Sequence, residues 1–288
     1  MKPPRFEYHR PSSRDEVVAL LVQHGDESKI LAGGQSLVPM LNFRLAHPDH
    51  LIDINHLEGE ASEPELGDRW VTFGPLVRHV AAERSLVVEE EVPLLFEALR
   101  FVAHPAIRTR GTIVGSIAHS DPAAEIPAVL TALGGEIVAR SARGERTIHS
   151  DDCFVGPLVN ALEHDEWMEA VRFPRRAEGE GFAFEEFSRR SGDYALCGVA
   201  AAARPSGSGM NVTLAYLGVG VTPQTIEVSA RPVSEYQHPS FFGELEGLVH
   251  AELRPYDDIH ATGAYKRFLA VHLGVKAARR AVSMGVPA

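Results

Sequence analysis

The chain has 288 residues, 44% of them hydrophobic and 23% charged, which is expected of a soluble globular protein long enough for two domains and a sizeable core. A formal net charge of −11 with scattered basic residues argues against a nucleic-acid partner. No apolar run approaches the ~20 residues of a membrane span and the first ten residues lack a signal-peptide core, so the cytoplasm is the expected location.

In chain order, Ser13-Arg14-Asp15-Glu16 reads as a capping box, followed by Val17, Val18, Leu20 and Leu21 and stopped near Gly25 as a first short helix. Ile30-Leu31-Ala32 is a short strand that delivers a glycine turn, Ala32-Gly33-Gly34-Gln35-Ser36. Leu51-Ile52-Asp53-Ile54 and Trp70-Val71-Thr72-Phe73 read as strands, and residues 57–69 between them as a turn or subdomain boundary. Pro93 opens a helix expected over residues 94–103, since a proline at the first helical position loses no needed N–H. A second glycine turn follows, Gly111-Thr112-Ile113-Val114-Gly115-Ser116. Asp121-Pro122 reads as a cap and first residue of a helix over residues 122–133, with Gly134-Gly135 as its stop.

From Phe173-Pro174 the texture becomes β-rich, with strands expected over residues 182–187, 195–203 and 211–217. Helices are expected over residues 240–253 and 264–282, the second with Tyr265, Phe268, Leu269, His272, Leu273 and Val275 as its apolar face.

The two glycine turns carry the chemistry. Each offers backbone N–H groups with little side-chain bulk, which close approach of a diphosphate requires, and together they suggest a dinucleotide clamped between two loops. Neither has the G-x-G-x-x-G spacing of a Rossmann turn or the lysine of a Walker A loop. A Gly-Gly after a strand is also an ordinary turn, so each loop alone is a weak signal. The only two cysteines, Cys153 and Cys197, cannot supply the four thiolates of an iron–sulfur cluster and read as buried small hydrophobes. Fourteen histidines form no H-x-x-x-H pair, so no metal is expected in this chain.

Three ordered motifs, AGGQS from Ala32, RGTIVGSIAHSDPAAE from Arg110 and RRSGDYALCG from Arg189, carry a resemblance that covers essentially the whole chain. The sequence resembles the FAD-binding medium subunit of molybdenum hydroxylases, the family of carbon monoxide dehydrogenase and xanthine dehydrogenase. The resemblance implies an α+β fold: a two-subdomain FAD-binding fold of the vanillyl-alcohol oxidase type over residues 1–56 and 57–174, then a C-terminal domain over residues 175–288 with a three-stranded antiparallel sheet and helices. It places Ala32, Gly33, Gly34, Gln35, Ser36 and Leu37 on one side of the FAD diphosphate, and Thr112, Gly115 and Ser116 on the other.

The family commonly has glycine where this chain has Val114 and asparagine where it has Ser116. Valine at a position of positive φ would be strained, so a reshaped loop is expected there, and Val114→Gly is expected to leave FAD affinity equal or higher. His119 and Asp121 match residues near the flavin, Asp121 reading equally as a helix cap and His119 as a structural histidine. Glu125, one turn on, reads as solvated. Asp53 reads as a turn carboxylate or a ribose ligand. Tyr194 resembles the family tyrosine that approaches the flavin ring, and otherwise reads as a core residue after a turn. Lys266 faces either flavin or solvent.

The resemblance implies an electron-transfer role with no catalytic side chain. FAD in this chain takes electrons from 2Fe–2S clusters on a small partner subunit, substrate is oxidised at a molybdenum cofactor on a large one, and electrons leave to an external acceptor. The implied assembly is a heterotrimer, doubled to a heterohexamer. The competing readings are a self-sufficient FAD-dependent oxidase or reductase and a flavin-free scaffold subunit.

Overall fold

The computed structural model describes residues 2–285. The chain begins as a small parallel sheet with His50–Asp53 in the centre, flanked by Glu7–His9 and Ser28–Leu31. The crossover between the two flanking strands is the helix Arg14–His24. Its N-cap is Ser13, whose hydroxyl accepts from Glu16 N, while the Glu16 carboxylate accepts from Ser12 N at 2.7 Å. The reciprocal capping expected from the sequence is thus present but reaches back one residue further. Val17, Val18 and Leu21 bury against Ile52, Ile54 and Trp167, which fixes the helix on the sheet.

A five-stranded antiparallel sheet follows, ordered Glu65–Leu66, Trp70–Phe73, Trp167–Pro174, Glu136–Ser141 and Gly144–His149. Phe73 and Phe173 meet edge to face at 5.5 Å in its core. Six short helices between residues 79 and 133 cover this sheet and lead into the second glycine turn. The helix expected over residues 94–103 is Pro93–Ala98. The chain turns at Leu99, and Ala103 takes a φ of +44°. The helix expected over residues 122–133 begins only at Glu125, with Ala124 as its N-cap. Asp121 instead accepts from Ala123 N at 2.9 Å and closes a turn ahead of the helix. Gly134 ends the helix in the left-handed conformation, as expected.

The C-terminal part is a four-stranded antiparallel meander, Gly181–Phe187, Cys197–Ser206, Gly209–Leu217 and Gln224–Arg231, not the three strands anticipated. The extra strand is an edge in which buried Ile226 and Val228 alternate with exposed Thr225, Glu227 and Ser229. The second strand carries Ala200, Ala201, Ala202 and Ala203, all fully buried, so the sheet presents a low relief against which the helix Gly263–Gly285 packs closely. That choice rotates the helix from its expected orientation. Its buried face is Lys266, Leu269, Ala270, Gly274, Val275, Ala277, Ala278 and Ala281, and the bulkier Tyr265 and Phe268 stack on each other at the surface. Small residues win the interior because the helix and the sheet approach too closely for aromatics.

Several ties join this part to the rest, among them the bond from Arg204 Nη2 to Ala132 O at 3.0 Å. Glu97, on Pro93–Ala98, accepts from Phe184 N and pairs with Arg280, which also bonds Glu185 at 2.8 Å. Gly218 N donates to Pro122 O at 2.8 Å. No helix among the described residues is long and apolar enough to cross a membrane.

Candidate cofactor site

The strand Ser28–Leu31 delivers Ala32 to the first glycine turn. Gly34 has a φ of +69°, a conformation that glycine adopts freely. A Cβ at Gly33 would lie 2.4 Å from Arg110 O and 2.8 Å from Gly111 Cα. The two glycine turns therefore touch backbone to backbone, and only glycine permits it. Gln35 Nε2 donates to Gly33 O at 3.0 Å and braces the turn. Among the described residues, the N–H groups of Gly33, Gly34, Gln35, Ser36 and Leu37 find no acceptor, and neither do those of Thr112 and Val114.

The second turn is the start of the helix Ile113–His119. Thr112 is its N-cap and accepts from Gly115 N at 3.0 Å, while Ser116 N bonds Thr112 O. Val114 is a helical residue in the first turn, 4% exposed and without positive φ. The strain expected at Val114 is absent, because a helix accommodates a β-branched side chain where a left-handed turn would not.

Three residues without a sequence signal lock the turns together. Asn55 Nδ2 donates to Ala32 O at 2.8 Å and to Asp53 Oδ1 at 2.6 Å. Arg78 donates to Asn55 Oδ1 on one side and to Arg110 O on the other, both at 2.5 Å. His79 is buried with Nε2 2.8 Å from Thr112 O, and its N–H bonds Gly111 O. Burial pulls the His79 pKa down to about 4, so it is a neutral donor, with Nδ1 unpartnered. Asp53 accepts from Tyr8 and Asn55. Burial would raise its pKa, but these bonds outweigh it and hold the carboxyl below its ordinary value. Its carboxylate therefore serves the turn, the first of the two sequence readings.

At the far end of Ile113–His119 lies a group of ionisable side chains. Burial lowers the His119 pKa, against the neighbouring Asp121 charge. Tyr194 follows a turn at Gly192, where a Cβ would lie 2.4 Å from the His104 ring. That contact holds the turn that presents Tyr194, a residue 68% exposed. Desolvation and the charges of Asp121 and Glu125 raise its pKa. Glu125 is 8% exposed, not solvated as expected, and burial pushes it up to about 7. Glu186 is pushed up to about 8 by burial and by Glu125, and its Oε2 is buried without a partner among the described residues.

The structure thus brings Gly33 against Arg110 and Gly111, next to Thr112, while the N–H groups of Gly115 and Ser116 are taken up by Thr112, and it sets Asp121 near both His119 and Tyr194. Lys266 has another task. It is 2% exposed, donates to Asp258 Oδ2 at 2.6 Å and lies 4.5 Å over the Tyr256 ring, all within the C-terminal part. Cys153 and Cys197 are buried thiols, raised in pKa by that burial.

Residues 4–176 match the family described as the FAD binding domain in molybdopterin dehydrogenase, and residues 182–281 match the CO dehydrogenase flavoprotein C-terminal domain. The chain belongs to this FAD-binding family. It is 33% identical over 279 residues to the glyceraldehyde dehydrogenase medium chain of Sulfolobus acidocaldarius, covering 96% of this chain and 98% of that one. It is 45% identical over 200 residues to the 6-hydroxypseudooxynicotine dehydrogenase complex subunit alpha of Paenarthrobacter nicotinovorans, covering 69% and 67%. Among solved structures it matches a carbon monoxide dehydrogenase from Hydrogenophaga pseudoflava at 33% identity with a TM-score of 0.89, covering 99% of each chain. It also matches quinoline 2-oxidoreductase from Pseudomonas putida 86 at 30% identity with a TM-score of 0.88, covering 98% and 99%.

The residues present suit FAD. Free N–H donors stand on two turns in contact, with the guanidinium of Arg78 bridging them, a donor set matched to a diphosphate.

A methyl group at position 33 must separate the two turns, so Gly33→Ala is expected to lower FAD affinity at least about tenfold in a fluorescence titration. Val114→Gly removes a buried side chain and adds glycine to a helix, so it should cost roughly 2 kcal/mol in denaturant unfolding. Glu186 is raised in the folded state, so its contribution to stability is full below the unfolded carboxyl pKa and lost as pH rises through about 8. Relative to wild type, Glu186→Gln should therefore gain on the order of 2 kcal/mol in unfolding free energy between pH 5 and pH 9, discounted for partial solvent access.

Proposed function

We propose that this chain is the FAD-carrying electron-transfer subunit of a molybdenum-containing hydroxylase or dehydrogenase, working in the cytoplasm. The observation that carries the reading is the backbone contact of Gly33 with Arg110 and Gly111, flanked by unpaired N–H donors. In this reading Ala32, Gly33, Gly34, Gln35, Ser36 and Leu37 bind the diphosphate from one side, and Thr112, Gly115 and Ser116 from the other. Arg78 balances its charge. Tyr194, His119 and Asp121 contact the flavin end, where Tyr194 excludes water from a ring face. Bound FAD supplies redox chemistry that links one-electron carriers to a two-electron acceptor.

Two buried thiols cannot supply the four thiolates of an iron–sulfur cluster. In this reading, which rests on the family, the 2Fe–2S clusters sit on a small partner subunit and the molybdenum cofactor on a large one. The relatives support this: they include a medium chain, a complex subunit and a carbon monoxide dehydrogenase that lacks the Mo-pyranopterin moiety of the molybdenum cofactor. Exposed Phe43 and Leu45, close after the first glycine turn, offer apolar surface to such a partner. The assembly in this reading is a doubled heterotrimer, with the chain divided at residues 56 and 174.

The test is purification of the native complex, identification of its chains by mass, and anaerobic addition of the organic substrate followed by absorbance. Expected are one FAD per copy of this chain, a large molybdenum subunit and a small iron–sulfur subunit, with flavin bleaching only in the complete assembly. Bleaching by substrate in the isolated FAD-loaded chain would establish a self-sufficient flavoenzyme instead. A chain that assembles but takes up no FAD would be a scaffold.

A further inference from the structure

Away from the glycine turns, three histidines from three separate elements meet on one face of the parallel sheet. His9 ends the strand Glu7–His9, His24 ends the helix Arg14–His24, and His50 opens the strand His50–Asp53. The parallel register pairs Glu7 with His50 and His9 with Ile52, two residues on from His50 and on the same face, and the helix ends with His24 stacked on His50. His9 Nε2 lies 3.0 Å from His50 Nδ1, and the His24 and His50 rings stack with centroids 3.6 Å apart. One nitrogen from each ring can be chosen so that all three lie within 4.8 Å of one another, and each residue is half-buried. Glu7 Oε2 lies 3.6 Å from His50 Nδ1 and is the nearby carboxylate.

We propose that His9, His24 and His50 form a binding site for one divalent transition-metal ion of the imidazole-preferring class, of which zinc(II) is the probe, with water or Glu7 as the fourth ligand. Three imidazole nitrogens on rigid elements form a donor set that suits Zn2+ or Cu2+ and not Mg2+ or Ca2+. Ligand nitrogens of a tetrahedral zinc stand ~3.4 Å apart, given bonds of ~2.05 Å. The His9–His50 pair already meets that spacing to within a few tenths of an ångström. Closing the third ligand requires His24 to rotate out of its stack on His50, a side-chain movement at the end of a helix. Three elements that sequence alone leaves 15 and 26 residues apart are then cross-linked, and one of them runs directly into the Asp53–Asn55 support of the first glycine turn. This ion is separate from the FAD site and from any metal on a partner.

The test uses the untagged, FAD-loaded full chain after chelator dialysis, titrated with Zn2+ by calorimetry and with Co2+ by visible absorption. Expected are one ion per chain, tetrahedral Co2+ bands, and a rise in melting temperature with Zn2+. His24→Gln, which removes a ligand from the helix end without touching the sheet, should weaken Zn2+ binding at least tenfold and abolish the Co2+ bands, with FAD content unchanged. His9→Gln should do the same, and His260→Gln, at an exposed histidine elsewhere, should have no effect. Absence of stoichiometric binding in the wild-type chain would overturn the proposal. So would binding that survives in both His24→Gln and His9→Gln, and the cluster would then be a stack that packs the helix end onto the sheet.

Discussion

The closeness of two backbones at Gly33 and Gly111 is the constraint on which the rest of this molecule depends. Each turn has its own brace, Gln35 in the first and the Thr112 cap in the second, but neither brace holds the two turns together. The first hangs from a small parallel sheet and the second from a string of short helices over an antiparallel one, and the contact leaves no room for a Cβ between them. Holding such an approach requires a bridge, which Arg78 provides by donating to Asn55 on one side and to the Arg110 carbonyl on the other. Because the guanidinium is planar and remains charged, it can bond both loops and still stand as a cation beside them. The donors left unpaired on the two turns are therefore organised before any ligand arrives, and less binding energy is spent on ordering them.

The C-terminal part extends that arrangement. Glu97 with Arg280, Gly218 with Pro122 and the Gly192 turn against His104 fasten it to the helices that feed the second loop. The result sets an exposed tyrosine beside Asp121 and Glu125, with two carboxyl groups, Glu125 and Glu186, buried deeply enough to favour their neutral forms.

Much of this was legible in the residues. The glycine turns, the first helix, the antiparallel C-terminal strands and the resemblance carried by three motifs pointed to the FAD-binding family that the comparisons show. Features set by tertiary contact were not legible. Asn55, Arg78 and His79 belong to no local pattern, and their roles exist only once distant carbonyls come within reach. The long C-terminal helix buries its small face because the sheet beneath it is lined with alanines, a fact about the partner element and not the helix. Val114 does not lie in a loop because the threonine cap already starts a helix there. The fourth strand carries a period-two signal in Thr225-Ile226-Glu227-Val228-Ser229 that is short. The histidine cluster has no linear signature, since its members meet only through the register of a parallel sheet.

The contact at Gly33 also sets a timetable for biosynthesis. Half of the clamp leaves the ribosome early, but its counterpart at Gly111 and the arginine between them come much later, and the Trp167–Pro174 strand that completes the central sheet comes later still. A nascent chain presenting only the first turn has a glycine loop and nothing to close it against. A dinucleotide held by both turns can therefore be gripped only once the chain has been synthesised past the second turn and the two have met.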